Sequence, residues 1–205
     1  MIYDLFARGG PLMWPLLLCS LVSLTITIER IIFWWQGKRQ RDGRLVETLF
    51  AQTEQGRFDD ALSSGQETRD LAALVLMSGL SQRDFGFRES MEAEAEDQIE
   101  RMKRGLNVLD TIITMAPLLG ILGTVLGIIQ SFDFLSVSGV QDPKAVIGGI
   151  AQALITTAAG LTVALLTLIP FNYFMARVEK TAKDLEKLGS RFEVAYQKGL
   201  RNHEG

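Results

Sequence analysis

The sequence predicts an all-α integral membrane protein with three transmembrane helices. Three apolar runs, at residues 11–35, 108–135 and 145–175, are each long enough to cross a hydrocarbon core, which takes about 20 helical residues. The chain is 47% hydrophobic yet 22% charged, and its mean hydropathy is +0.17, so apolar and charged blocks alternate along it. The charged blocks have helical composition, and we expect the second and third membrane helices to extend into a cytoplasmic helical region.

Lysine and arginine near the ends of the apolar runs predict the orientation, because these residues are enriched on the cytoplasmic side. Basic clusters lie at residues 38–44, 101–104 and 177–187, whereas the opposite side has only Arg8 and Lys144. The predicted order is a periplasmic lead-in (1–10), membrane helix one (11–35), a cytoplasmic helical segment (36–107), membrane helix two (108–135), a periplasmic loop (136–144), membrane helix three (145–175) and a cytoplasmic C-terminal helix (176–205).

The sequence of the cytoplasmic segment predicts several consecutive helices. Two short helices are expected around Gly56, and another over "DLAALVLMSGLSQ". The stretch "FRESMEAEAEDQIERMKRGLNVLDTIITMAP" predicts one helix that continues unbroken into the membrane. In the tail, Val178, Leu185, Leu188 and Phe192 form a helical stripe, and we expect this stripe to pack against other copies of the chain.

Charge and residue usage exclude several function classes. The net charge of −3 gives no support for a nucleic-acid binder. One cysteine, Cys19, and one histidine, His203, exclude an internal disulfide and argue against a zinc site. The sequence has no nucleophile–base pair, metal-ligand cluster or phosphate loop, so we expect no catalytic residues, no metal and no cofactor.

Two apolar runs have a face of small and polar residues. On membrane helix three the face comprises Gly149, Gln152, Ala153, Thr156, Gly160, Val163, Ala164 and Thr167, with Thr157 at its edge. On membrane helix two it comprises Asp110, Pro117, Gly120, Thr124, Gly127 and Ser131. Because the two helices are antiparallel, Thr124 and the Thr156–Thr157 pair should lie at similar depth.

Periodicity alone leaves two interpretations of these faces open. Small residues with a few hydroxyls are typical of close helix packing in membranes, and threonine can bond its own helix. A hydrated, pore-lining face has the same composition. No titratable residue lies in the middle of any run: Asp110 is roughly 20 Å along the helix from Thr124, and Glu29 and Arg30 form a predicted interface charge pair at the inner end. If protons cross here, another chain must supply the carboxylate.

Three stretches also resemble the ExbB/TolQ/MotA proton-channel family. They are "APLLGILGTVLGIIQSF" at 116–132, "GGIAQALITTAAGL" at 148–161, and "GGPLMWPLLLCS…TIERIIF" in the first apolar run. The likeness covers all three membrane segments in order, and three segments favour the ExbB/TolQ branch over the four-helix MotA branch.

The resemblance implies a homopentamer around a pore that holds two ExbD- or TolR-like single-span chains, each with an intramembrane Asp. Such a complex would convert ion flow, expected to be H⁺ with Na⁺ as the alternative, into work on a periplasmic or outer-membrane target. The family's pore threonines correspond to Thr124 and Thr157. The pore lining would further include Thr156, Gln152, Gly120, Gly127, Ser131 and Gly160, with Asp110 at the cytoplasmic end of the ion path.

One position departs from the family pattern. Many ExbB and TolQ sequences have Glu where this chain has Gln152, and a neutral amide cannot titrate. We therefore expect a structural or gating role there. A membrane scaffold, whose small-residue faces only pack, is the alternative function.

Overall fold

The computed structural model describes Phe6, residues 9–138 and residues 143–203, without the side chains of 134–138, 143–145 and 203. Most of the predicted lead-in, residues 139–142 of the predicted loop, and the His203 side chain therefore lie outside the described residues. The described helices are α1 (Met13–Arg39), α2 (Gly43–Glu54), α3 (Phe58–Ser64), α4 (Leu71–Ser81), α5 (Phe87–Lys103), α6 (Leu106–Ser138) and α7 (Pro143–His203).

These elements confirm the predicted fold class. Helices α1, α6 and α7 are long and apolar enough to cross a membrane, and the described residues include no strand. The two short helices around Gly56 and the helix over 71–81 are also present. Helix α7 continues from the third apolar run through the tail to His203, as predicted. The exact membrane boundaries stay a prediction.

The predicted continuous helix leading into membrane helix two is wrong. Helix α5 ends at Lys103 and α6 begins at Leu106. Between them Gly105 has φ +78°, a left-handed conformation that only glycine adopts without steric cost. A Cβ at this position would also lie 3.0 Å from Ile26 Cγ2. The single glycine in the stretch is therefore a helix break, and composition alone did not reveal it.

The chain divides into two compact units. One, the apolar unit, comprises the chain up to Glu29 and Gly105–Phe174; the other, the charged unit, comprises Arg30–Arg104 and the chain from Met175 onward. The candidate site lies in the apolar unit.

The charged unit has an aromatic core to which α7 contributes. Phe87 stacks on Phe192 and Tyr196, with ring centroids 5.9 Å and 4.2 Å apart, and Phe50 meets Phe192 edge-on. Leu185 is buried in the same cluster, and Leu188 packs against it. The prediction that this stripe packs against other copies is wrong, because the chain's own helices cover it.

Two aspartates cap the first turns of α2 and α4 in the charged unit. Asp70 Oδ1 accepts hydrogen bonds from the Ala72 and Ala73 amides, at 2.8 Å and 3.0 Å, and so caps α4. Its second oxygen accepts the Asp42 amide at 2.7 Å. Asp42 in turn caps α2, so one buried carboxylate connects the starts of two helices.

Candidate functional site

Helices α6 and α7 touch through their backbones along a row of glycines. A Cβ on Gly120 would lie 3.1 Å from Thr157 Cα, and one on Gly127 would lie 2.8 Å from the Gly149 carbonyl oxygen. A Cβ on Gly160 would collide with the Ala116 carbonyl. All three glycines are buried. These positions therefore set the separation of the two helices, as small residues do in membrane helix pairs.

Two threonine hydroxyls meet within this contact. Thr124 Oγ1 and Thr157 Oγ1 are hydrogen-bonded to each other, and Thr157 Oγ1 also donates to the Gly120 carbonyl at 2.9 Å. Thr124 Oγ1 lies 3.4 Å from the Ala153 carbonyl on the facing helix. Both side chains are half-buried. The structure thus brings together the two residues that the resemblance assigns to the pore.

Ser131 belongs to the same helix contact, further along α6. It is 3% exposed, and its hydroxyl donates to the Gly127 carbonyl at 2.9 Å and lies 3.3 Å from the Val146 carbonyl. Its neighbour across the contact is Gly149. The hydroxyl therefore lies between backbone carbonyls of the two helices and can donate to either one.

Thr156 and Gln152 face a different neighbour, the glycine turn that precedes α1. The Thr156 hydroxyl lies 2.7 Å from the Gly9 carbonyl oxygen and 2.8 Å from that of Gln152. The Gln152 amide lies where a side chain on Gly10 would begin. Both residues were expected on the pore surface with Thr157, and that assignment stays a prediction; within the chain they contact the turn.

The charged residues of the predicted site lie apart from the threonine pair. Asp110 is exposed, and its backbone carbonyl accepts the Thr114 hydroxyl at 3.2 Å. Glu29 is exposed, in the apolar unit. The partners shown for the two threonine hydroxyls are each other and backbone carbonyls, which are neutral groups.

Arg30 is 2% exposed in the charged unit, where its side chain binds carbonyls at the end of a helix. Its Nη1 donates to the carbonyls of Arg101 and Met102, at 3.1 Å and 3.3 Å, and its guanidinium lies 4.7 Å from the Phe33 ring centroid. These carbonyls are among the last of α5, where a cation is favourable.

Three residues that take part in the contacts of α7 with its neighbours were not predicted from the sequence. Ser23 Oγ lies 2.7 Å from Thr167 Oγ1 and joins α1 to α7 through a buried hydrogen bond; one of two serines within "SLVSLTIT" is a weak signal. Gly123 and Gly9 both contact Thr156 or its neighbours. Gly123 lies next to the stripe that periodicity selected, and its role depends on which residue faces it.

No group of three or more potential metal ligands occurs among the described residues. Cys19 is a half-buried free thiol. The hydroxyls of Thr124 and Thr157 form a half-buried pair at mid-helix that could interact with water or with a partner's polar group.

Comparison with known sequences indicates the class of protein in which this neutral site occurs. The sequence model of the MotA/TolQ/ExbB proton channel family matches residues 67–187, more than half of the chain. The chain belongs to this family. The match includes α5, α6 and the part of α7 that carries the threonines.

Individual members of the MotA/TolQ/ExbB family favour its ExbB/TolQ branch. The putative biopolymer transport protein ExbB-like 1 of Synechocystis sp. is 36% identical over 96% of this chain and 79% of its own length. ExbB-like 3 of the same organism is 31% identical over 93% of this chain and 92% of its own length. The Tol-Pal system protein TolQ of Pseudomonas aeruginosa is 36% identical over 46% of this chain and 41% of its own length. Membership indicates a membrane channel role in energy transduction rather than an enzymatic one.

Proposed function

We propose that the chain is the ring-forming channel subunit of an ion-driven motor in the cell inner membrane. In this proposal five copies surround a pore, and the flow of ions, H⁺ in the first instance, is converted into mechanical work on a periplasmic or outer-membrane target. Family membership supports the transport role. The more specific proposal, a ring-forming channel subunit, is argued from the contact between α6 and α7.

The hydroxyl pair of Thr124 and Thr157 carries the proposal. Both side chains are half-buried rather than sealed, and each can donate and accept hydrogen bonds. They could therefore donate a hydrogen bond to a partner's carboxylate, or exchange hydrogen bonds with water. Neither can titrate near neutral pH, so the proton-binding group must come from elsewhere.

Because the threonine pair has no proton-binding carboxylate of its own, the partner must supply one. We propose two copies of an ExbD- or TolR-like single-span chain, each with an intramembrane Asp that takes up and releases protons beside the threonines. A charged group is costly in a bilayer unless it is paired or hydrated, so a polar surface opposite that Asp would lower the cost. With Asp110 at its cytoplasmic end, the path would run along α6.

A scaffold function is the second candidate, favoured by the glycine contacts. The close approach at Gly120, Gly127 and Gly160 is what tight helix packing needs, with or without a pore. In that case the threonine hydroxyls would only satisfy backbone carbonyls.

Substituting valine at the two threonines separates these candidates. Thr124→Val and Thr157→Val keep the side-chain shape but remove the hydroxyl, so we expect proton flux to fall about tenfold or more, the effect of losing one or more hydrogen bonds from the path. Flux would be measured in proteoliposomes that contain the chain with its single-span partner.

Thr162→Val is the matched control. Thr162 is exposed on the same helix, and its hydroxyl donates to the Ala158 carbonyl one turn back, at 2.7 Å. Its loss should leave flux unchanged. Full flux in assembled complexes that carry both Thr124→Val and Thr157→Val would reject the channel proposal and favour the scaffold.

A further inference from the structure

Thr156 lies where three parts of the apolar unit meet. Its hydroxyl is 2.7 Å from the carbonyl of Gly9, in the turn before α1. Its methyl side covers Gly123 of α6, where a Cβ would lie 2.5 Å from Thr156 Cγ2. The residue is 1% exposed. The hydroxyl of this side chain therefore contacts the turn before α1, and its methyl group contacts α6.

The contact with Gly9 goes beyond the usual behaviour of threonine in a helix. A threonine commonly donates to the carbonyl one turn back, and the Gln152 carbonyl is available at 2.8 Å. The Gly9 carbonyl, by contrast, belongs to a residue 147 positions away. Gly9 is buried, so its carbonyl depends on a partner within the protein.

The turn itself is shaped to fit this surface of α7. Gly10 has φ +75°, and any side chain there would collide with the Gln152 amide. The Met13 amide donates to the Gly10 carbonyl at 3.1 Å and closes the turn into α1. Gln152 and Thr156, one helical turn apart, thus form the surface on which the turn rests.

We propose that Thr156 is a positioning residue, which fastens the glycine turn and α6 to α7 and so holds the neighbouring Thr157 in line with Thr124. Because consecutive residues share a rigid helical backbone, anchoring residue 156 on two sides limits how residue 157 can rotate or slide. Gln152 assists by packing on Gly10, which gives this uncharged residue a structural role. The proposal rests on the threonine pair being part of the ion path.

Two substitutions at Thr156 separate its hydroxyl from its methyl group. Thr156→Val keeps the packing on Gly123 but removes the hydroxyl that lies 2.7 Å from the Gly9 carbonyl oxygen; Thr156→Ser keeps the hydroxyl. Hydrogen–deuterium exchange of the Gly9, Gly10, Leu12 and Met13 backbone amides, in the purified complex with the single-span partner, reports whether the turn is held. We expect about fivefold faster exchange in Thr156→Val, the effect of losing one hydrogen bond of typical net strength, and near-parental exchange in Thr156→Ser.

Proton flux in the same preparations tests the positioning role. We expect Thr156→Val to reduce flux and Thr156→Ser to restore most of it, while Thr162→Val changes neither exchange nor flux. Unchanged exchange in Thr156→Val, equal loosening in Thr162→Val, or full flux despite a loosened turn would each overturn the proposal. Full flux in the Thr124→Val, Thr157→Val double variant would instead reject the proposed channel, since exchange at 9–13 does not depend on conduction.

Discussion

At the scale of single residues, the adjacent threonines of α7 have different neighbours. Thr157 bonds Thr124 across the contact with α6, whereas Thr156 bonds the Gly9 carbonyl in the turn before α1. A rotation of about 100° per residue separates two neighbouring side chains on a helix, so one step along the chain changes the element that is faced. The pattern "TTA" contains both roles but does not distinguish them.

The glycines offer a test of how closely the helices pack. Gly160→Ala would place a methyl group against the Ala116 carbonyl, so we expect a loss of about 1–3 kcal/mol of unfolding free energy, typical of overpacking. Thermal unfolding of the detergent-purified protein measures the change.

Gly148→Ala is the comparison for this substitution. Gly148 lies on the same helix, with nothing within 4 Å of an added Cβ. Alanine has the higher helix propensity, so we expect this variant to be as stable as the parent or slightly more so. Equal destabilisation by both substitutions would contradict the close approach at Gly160.

At the scale of elements, the apolar runs and the tail pattern predicted the helices, and one glycine decided where they are divided. Length and hydrophobicity identified α1, α6 and α7 because both are properties of the local sequence. The division of α5 from α6 at Gly105 involves a left-handed backbone and a close contact with Ile26. Such a contact comes from another part of the chain, and composition does not reveal it.

The end of α5 provides a prediction at this scale. Arg30→Met removes the hydrogen bonds from a charged donor to the Arg101 and Met102 carbonyls, which are worth about 1.5–3 kcal/mol when buried. We expect faster backbone exchange at residues 98–104, measured by hydrogen–deuterium exchange.

Arg39→Met serves as its control. Arg39 lies at the exposed end of α1, with its guanidinium 4.0 Å from the Trp35 ring centroid. Its replacement should leave α5 unaffected. Equal protection of residues 98–104 in the Arg30→Met variant and the parent would show that the carbonyls do not need this cation.

At the scale of the whole molecule, the charge distribution predicts how the chain lies in the membrane. Because lysine and arginine cluster on one side of the apolar runs, we expect the C-terminus in the cytoplasm and the 136–144 loop outside. Alkaline phosphatase, which is active only outside the cytoplasm, should be active when inserted in that loop and inactive when fused to the C-terminus. The reverse pattern would overturn the orientation.

The sequence by itself determined the class of the protein: three helices long and apolar enough to cross a membrane, a charged helical unit, no titratable residue in the middle of an apolar run, and the motifs of the MotA/TolQ/ExbB family. These are properties of local composition and period, which do not depend on what each segment contacts. Only the tertiary structure decided that the tail stripe is covered by the chain's own helices, that Gly105 divides two helices, and that Thr156 faces the Gly9 turn while Thr157 faces Thr124. The physical reason is that the role of a side chain depends on the group opposite it, which the local sequence does not specify.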